Sequence, residues 1–400
     1  MAMPVQRSYD VVIVGGAIYG SSLAWWLSQM PGFGGSVLVV ERDTTYQFAS
    51  TSHTNSCIRQ QFSNETNIRI SQFGAEFIKN FRDFMGGDPE VPNLTLQSFG
   101  YLYLADNAAF AKVLHQSQQI QSALGAQTQH MTRDEIAAAY PFYNLDGIIA
   151  GNHSTVDEGY FDGGTMFDWF KRMARRNGVT YLHDEVMGLS LNGAGTRVEG
   201  VMLKSGQTIA CGTLVNASGP RAVATSRMAG IELPVRPRKR YSYVFAAAEP
   251  LEQDLPLTID PSGVHVRSDG KYYLAGCPPD DDPDVAYDDF AFDHTIWEEK
   301  VWPAIATRIP AFERVKVINE WVGHYAYNTF DQNAILGPHT KVGNFLFMNG
   351  FSGHGLQQSP AIGRGVAEYI TYGAYRTLDL APFHYARLET GRAFVEKAVI

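Results

Sequence analysis

Residues 9–41 read YDVVIVGGAIYGSSLAWWLSQMPGFGGSVLVVE, and this stretch decides the fold. The apolar run Tyr9–Val14 suits a strand that is buried on both faces. The glycine-rich segment Gly15–Gly20 follows it, and Ser21–Gln29 then has the composition of a helix. Ser36–Val40 is a second buried strand. The order strand, glycine turn, helix and strand predicts a βαβ unit of the kind that binds dinucleotides.

The glycine turn has the properties of a phosphate site, because the start of a helix offers free N–H groups and a positive dipole end. Gly15 allows a tight turn, Ala17 is small enough for close approach, and Gly20 lets helix and strand pack closely. Glu41 ends the second strand, where its carboxylate can accept hydrogen bonds from ribose hydroxyls. An acid there disfavours the 2′-phosphate of NADP. The motif alone leaves FAD and NAD both open.

Composition excludes several classes of protein. The chain has 400 residues, a formal net charge of −9 and 45% apolar residues, which fits a globular fold and disfavours nucleic-acid binding. No apolar run approaches the roughly 20 residues that a membrane span needs, and no export signal is recognised. Three distant cysteines and the absence of HExxH predict neither a disulfide framework nor a metal site. A cytoplasmic, metal-free protein without a membrane span is therefore expected.

The later segments predict an α/β chain with a β-rich middle. The sequence predicts a helix over Thr66–Met85, strands at Gln207–Ala210 and Thr213–Ala217, and a solvated acidic turn at Asp280–Asp284. Predicted strands with antiparallel alternation lie at Arg240–Ala246 and Lys271–Leu274. The expected fold class is α/β: a Rossmann-like dinucleotide domain, with its GxGxxG-type turn, plus an α+β substrate domain that contains an antiparallel sheet. The expected cofactor domain is discontinuous, over residues 1–90, 151–225 and 325–400, and the substrate domain covers 91–150 and 226–324.

A second glycine-rich turn opens a helix at Gly350–Gly365, directly after the predicted strand Phe345–Met348. A second helix start near the cofactor suits a flavin, whose reduced ring carries negative charge. The segment GFSGH is not a nucleophile elbow, because His354 stands where GxSxG requires glycine.

Three motifs together resemble the superfamily of D-amino-acid oxidase, glycine oxidase and sarcosine oxidase. They are GGAIYG with Glu41, the segment Thr213–Pro220 (TLVNASGP), and the GFSGHG turn. Four further stretches resemble a mitochondrial subfamily linked to assembly of respiratory complex I: Ile58–Ser63, Pro237–Tyr241, Tyr327–Pro338 and Phe351–Pro360. The resemblance implies an FAD enzyme that oxidises the C–N bond of a secondary amine or N-substituted amino acid. Hydride passes to flavin N5, and the imine is then hydrolysed.

The resemblance also implies which residues surround FAD. The first turn would hold the pyrophosphate and Glu41 the ribose. The loop Thr51–Ser56 would line the flavin, Val186 would meet the adenine side, and the second turn would face the ring. The full set of cofactor residues implied is Gly15, Gly16, Ala17, Ile18, Tyr19, Gly20, Glu41, Arg42, Thr51, Ser52, His53, Ser56, Val186, Ala217, Ser218, Gly219, Gly350, Phe351, Ser352, Gly353, His354, Gly355, Leu356 and Gln357.

This chain departs from that superfamily at several positions. His324 stands where sarcosine oxidases attach flavin through cysteine, which excludes a thioether there. A histidyl link at His324 or His53 is an alternative, but noncovalent FAD is expected. Gln357 replaces a carboxylate-binding lysine, and no arginine occurs in Tyr325–Tyr327. Sarcosine and plain D-amino acids are therefore not the expected substrates. No lysine near Ala275–Pro279 matches the oxygen-activating one, so oxidase and dehydrogenase both stay open.

Five residues are the catalytic candidates: Arg59, His354, Tyr241, Tyr243 and His324. Arg59 is predicted to bind a substrate carboxylate through its bidentate guanidinium group, with a structural salt bridge or a flavin contact as alternatives. His354 could polarise the flavin or position the amine. Tyr241 and Tyr243 share a strand face at i and i+2 and could line the pocket, with a place in the apolar core as the alternative. The expected partners are an amine or amino-acid substrate and either oxygen or an electron-transfer acceptor. Two other functions stay open: an FAD-containing assembly factor without turnover, and a flavin dehydrogenase of 2-hydroxy acids.

Overall fold

The computed structural model describes residues 5–397. The strands are β1 (Ser8–Val14), β2 (Val37–Glu41), β3 (Cys57–Ile58), β4 (Tyr101–Ala105), β5 (Gln129–Thr132), β6 (Ala150–Ser154), β7 (Gly159–Tyr160), β8 (Thr180–His183), β9 (Val186–Leu191), β10 (Val198–Leu203), β11 (Thr208–Asn216), β12 (Val235–Ala247), β13 (Leu257–Ile259), β14 (His265–Asp269), β15 (Tyr272–Cys277), β16 (Val315–Asn328), β17 (Ile335–Pro338) and β18 (Phe345–Asn349). The α-helices are α1 (Ile18–Gln29), α2 (Glu65–Lys79), α3 (Phe81–Phe84), α4 (Ala108–Ala123), α5 (Arg133–Ala139), α6 (Gly163–Arg176), α7 (Ala222–Arg227), α8 (Trp302–Arg308), α9 (Gly355–Tyr372) and α10 (Ala386–Glu389).

The first sheet contains the predicted βαβ unit at its centre. Its strands run in the order β17-β18-β11-β1-β2-β8, and β1 pairs in parallel with both β2 and β11. Helices α1, α2, α6 and α9 cover one face, where their apolar side chains form a core with residues such as Ile13 and Val39. Apolar residues of β9, β10 and α7 cover the other face. Burial on both faces explains why β1 and β2 are continuous apolar runs.

The second sheet is mostly antiparallel and is built from the middle of the chain. Its order is β16-β12-β15-β14-β13-β4-β6-β5, with one parallel pair between β13 and β4. One face packs on α8 and on the segments directly before and after it, through an aromatic core that includes Phe245, Trp297 and Phe312. The predicted fold class, a Rossmann-like unit combined with an antiparallel sheet, is confirmed. The proposed residue boundaries of two domains stay a prediction.

Several element boundaries differ from the sequence expectation. The segments Gln207–Ala210 and Thr213–Ala217, predicted as two strands, form the single strand β11. This strand changes partner along its length, from antiparallel pairing with β10 to parallel pairing with β18, while it stays beside β1. The helix expected over Thr66–Met85 is interrupted at Asn80 between α2 and α3. None of the helices in residues 5–397 has the length and apolar character required to cross a bilayer.

Candidate functional site

Both glycine turns open into one cavity of about 470 Å³. Gly15, Ala17 and Glu41 line it from the first turn and strand β2, and Gly353 and Gly355 line it from the second turn. The volume lies within the range of small-molecule sites in proteins. The two helix starts therefore converge on one space, as the sequence predicted.

The first turn needs glycine for geometric reasons. Gly15 has φ +98°, and a Cβ there would lie 2.6 Å from the backbone oxygen of Ala217. A Cβ on Gly20 would overlap the backbone oxygen of Gly15, so this glycine permits the close approach of α1 to the turn. Helix α1 has no side-chain cap at Ala17 and no acid in its first turn. Its N-terminus therefore presents a positive dipole end to the cavity, which suits a pyrophosphate.

Glu41 lies beside this turn and is 8% exposed. Its two carboxylate oxygens accept backbone N–H bonds, one from Gly16 at 2.7 Å and one from Asp43 at 2.8 Å. Burial raises the pKa of Glu41 above its usual value, and the two N–H bonds oppose that rise. Each oxygen keeps a lone pair that can accept a ribose hydroxyl. Arg42 lies at the cavity edge, 3.5 Å from a carboxylate oxygen of Glu185.

The second turn is joined to the first by direct packing. The rings of Tyr19 and Phe351 stack with centroids 3.6 Å apart. Gly353 has φ +97°, and a Cβ there would lie 2.5 Å from the ring of Tyr325. Helix α9 starts without a side-chain cap at His354 and without an acid in its first turn. A second dipole end therefore points to the same cavity and favours a partly anionic ring system there.

Buried polar atoms around the cavity support occupation by a polar ligand. Among the described residues, several buried side-chain atoms have no hydrogen-bond partner although their residues line the cavity: Tyr19 Oη, Tyr46 Oη, Asn55 Oδ1, Arg240 Nε, His265 Nδ1, His324 Nδ1 and His354 Nε2. Leaving such atoms unpaired is costly. A dinucleotide with a pyrophosphate and a polar heterocycle, together with a polar substrate, fits this donor and acceptor set.

Arg59 and His354 lie together at the inner part of the site. The guanidinium carbon of Arg59 lies 4.0 Å from the Phe62 ring centroid, and the His354 ring meets the same ring edge-on at 5.1 Å. Burial, followed by the positive charge of Arg59, holds the pKa of His354 well below its usual value. His354 is therefore neutral at neutral pH. The side chain of Gln357 accepts the Arg59 backbone N–H at 2.9 Å, which ties the segment after the Thr51–Ser56 loop to α9.

Most predicted cofactor residues line the cavity. The lining residues among them are Gly15, Ala17, Ile18, Tyr19, Glu41, Arg42, Thr51, His53, Ser56, Val186, Ala217, Ser218, Gly219, Phe351, Ser352, Gly353, His354, Gly355, Leu356 and Gln357. The structure does not place Gly16, Gly20, Ser52 or Gly350 on the cavity wall. Gly20 and Gly350 belong to the two turns but pack against neighbouring protein atoms instead of the cavity. Ser52 is exposed, and its hydroxyl donates to the Tyr46 carbonyl.

The structure places the Tyr241 and Tyr243 rings away from their expected position. Both belong to the aromatic core under the second sheet, where each meets Phe292 edge-on. Tyr241 still contributes to the cavity lining, but Tyr243 does not. Strand alternation is the reason, because residues 241 and 243 share the face opposite to that of Arg240 and Ser242.

His324 is buried, and its ring stacks on Phe290 with centroids 4.2 Å apart. Its Nε2 lies 2.8 Å from the Asp289 carbonyl. Burial lowers the pKa of His324. His53 lies close by and also lines the cavity, with its Nδ1 3.1 Å from the Ala49 carbonyl.

Sequence reasoning missed His265, which lines the cavity and contacts Asn55 of the Thr51–Ser56 loop. It also treated Asp280–Asp284 as a solvated acidic turn. Asp282 in fact binds the guanidinium groups of Arg238 and Arg240 at 3.1 and 2.6 Å. No local pattern signals either contact, because the partners are far apart in the chain. Within the described part of the chain, no group of His, Cys, Asp and Glu side chains is arranged to hold a metal ion.

Comparison with known proteins places this geometry in context. The family model described as "DAO: FAD dependent oxidoreductase" matches residues 10–369. "FAD-dependent oxidoreductase domain-containing protein 1" of Xenopus laevis is 37% identical, over 100% of this chain and 86% of that protein. "4-methylaminobutanoate oxidase (formaldehyde-forming)" of Paenarthrobacter nicotinovorans is 22% identical, over 92% of this chain and 44% of its own length. The crystal structure of L-proline dehydrogenase from P. horikoshii matches with a TM-score of 0.83 and 25% identity, over 97% of this chain and 100% of that one.

Proposed function

Because this chain belongs to the DAO family of FAD-dependent oxidoreductases, we propose that it oxidises the C–N bond of a secondary amine or N-substituted amino acid. The observation that carries the proposal is the pairing of a buried cation, Arg59, with a neutral imidazole, His354, on the wall of the cofactor cavity. A substrate that carries both a carboxylate and an amine matches this pair. Two of the similar proteins are named for secondary amines, 4-methylaminobutanoate and L-proline.

The chain's own residues have separable roles in this proposal. The first helix start and Glu41 bind the pyrophosphate and ribose, and the start of α9 faces the flavin ring. When bound, FAD supplies the hydride acceptor and thus the redox chemistry. Arg59 orients the substrate through its carboxylate. The unpartnered Nε2 of His354 holds the amine by a hydrogen bond without adding a positive charge beside it.

The direct test is anaerobic mixing of the holoprotein with a panel of N-alkyl amino acids, plain amino acids and 2-hydroxy acids. We expect the flavin absorption to bleach with N-alkyl amino acids and not with hydroxy acids. Bleaching by hydroxy acids alone would instead identify a hydroxy-acid dehydrogenase. An unchanged spectrum across the whole panel would contradict the proposal and favour an assembly factor without turnover. Readmission of air then distinguishes oxygen from another electron acceptor.

Replacing Arg59 by methionine should raise KM for a carboxylate-bearing amine by more than tenfold. Loss of a hydrogen bond to a charged group costs about 1.5–3 kcal/mol. The matched control is Arg133→Met, because Arg133 is exposed and pairs with Asp146 at the surface. Steady-state kinetics measure KM for both variants. An unchanged KM in Arg59→Met would show that Arg59 does not bind the substrate carboxylate.

Three further expectations belong to this proposal. The cofactor domain comprises residues 1–90, 151–225 and 325–400, with the substrate domain over 91–150 and 226–324. FAD is held noncovalently, so that acid precipitation should release all flavin from the protein. The location is cytoplasmic, which cell fractionation would test.

A further inference from the structure

The cavity has a polar wall on the second sheet that the proposed chemistry does not use. His265 on β14 lies opposite Gly276 on β15, which lies opposite Ser242 on β12. A Cβ on Gly276 would lie 2.8 Å from two atoms of the His265 ring. The imidazole therefore extends over the glycine, and both His265 and Ser242 line the cavity.

Asn55 determines what His265 can offer to a ligand. Its side-chain nitrogen lies 2.7 Å from His265 Nε2. Burial, with the positive charges of Arg267 and Arg240 adding to it, lowers the pKa of His265 to about 4, so the ring is neutral at neutral pH. With Nε2 accepting from Asn55, the ring proton is on Nδ1. The reverse orientation of the amide exchanges these roles, and in either case the pair keeps one donor and one acceptor for a ligand.

The atoms left over on this wall are buried and unpaired. Among the described residues, His265 Nδ1, Asn55 Oδ1 and Arg240 Nε have no hydrogen-bond partner, and His265 is only 5% exposed. A ligand group that both donates and accepts hydrogen bonds would satisfy them together.

The charges around His265 are already balanced. Both terminal nitrogens of Arg240 bind Asp282, at 2.6 and 3.2 Å, and Arg267 binds Asp269 at 2.8 Å. A buried carboxylate ligand would therefore lack a counter-charge of its own, and burying such an ion costs more than burying a neutral polar group. The wall favours an uncharged group.

We propose that Asn55, His265, Arg240 and Ser242 form a carboxamide subsite, which selects an amino-acid substrate whose side chain or N-substituent ends in a neutral amide or peptide unit. The amide oxygen accepts from His265 and Arg240, and the amide N–H donates to Asn55. This inference rests on the proposed function, since it extends the same substrate beyond the carboxylate at Arg59.

The test uses three ligands of matched shape without an amine: succinamate, succinate and 4-methylpentanoate. They end in a carboxamide, a carboxylate and an isopropyl group. None of the three ligands carries an amine that the flavin could oxidise. Their binding to the oxidised holoprotein can therefore be read from a change in the flavin spectrum. This readout does not depend on whether the protein oxidises any amine. We expect succinamate to bind about tenfold tighter than the other two, since neither of them satisfies the buried donors and acceptor of this wall without adding a charge.

The variant His265→Phe should abolish this preference, while His153→Phe, which changes a histidine of the same sheet outside the cavity, should keep it. Equal or tighter binding of succinate or 4-methylpentanoate would overturn the proposal, as would no binding of succinamate. A preference that survives His265→Phe would also overturn it. If that variant fails to fold, the comparison of the three ligands on the natural protein decides alone.

Discussion

The variant Gly15→Ala should lose FAD binding by about 10- to 100-fold. Gly15 has φ +98°, outside the left-handed region that alanine tolerates, and an added Cβ would lie 2.6 Å from the Ala217 carbonyl oxygen. Such backbone strain costs about 1–3 kcal/mol. The chain can relieve it only by moving the turn or Ala217, and both line the cofactor cavity. Relief of the strain therefore distorts the cavity, and FAD binds less tightly.

The matched control is Gly34→Ala. Gly34 lies in the loop before β2, and a Cβ there would meet no atom within 4 Å. Both variants are titrated with FAD after removal of the flavin, with binding read from the quenching of flavin fluorescence. If Gly15→Ala bound FAD as tightly as the natural protein does, the turn would not hold the cofactor as described.

The variant Asp331→Asn should lower the free energy of unfolding by about 3–5 kcal/mol, because it leaves a buried guanidinium without its counter-charge. Asp331 is fully buried, and its two oxygens accept from Arg387 at 2.7 and 2.9 Å. They also accept from the Asn328 side chain and the Phe394 backbone. This pair ties the end of β16 to α10 and to the C-terminal segment.

The control for this variant is Glu232→Gln, whose partner Arg227 is exposed at the surface. Exposed ion pairs contribute little to stability, so we expect almost no change there. Chemical denaturation of both variants, followed by circular dichroism, measures the difference. A loss below about 1 kcal/mol for Asp331→Asn would contradict the buried ion pair, whose expected contribution is several-fold larger.

The sequence predicted those parts of the site that depend on neighbours in the chain. The turn at Gly15 and the acid Glu41 lie within one βαβ unit, where strand periodicity, helix start and glycine spacing all agree. The second turn before α9 was also visible, because glycines follow a buried strand there. The expected convergence of both turns follows from the parallel pairing of β1, β11 and β18.

The parts that the sequence could not predict depend on contacts between distant segments. Asn55 and His265 are 210 residues apart and meet only because the second sheet covers the flavin loop. Alternation along β12 predicted that Tyr241 and Tyr243 share a face, but not which face meets the aromatic core. The stretch Asn328–Asn333 lies within Tyr327–Pro338, one of the stretches that carry the resemblance, but its buried network with Arg387 forms only when α10 is in place.

We expect one FAD to occupy the cavity between the two helix starts. The most direct test of this occupation is the flavin content of the freshly purified protein. It is measured by visible absorption and by analysis of the flavin that acid releases. We expect a yellow protein with one FAD per chain, all of it released by acid. A colourless protein that takes up no FAD when it is supplied in excess would contradict the assignment of this cavity to FAD.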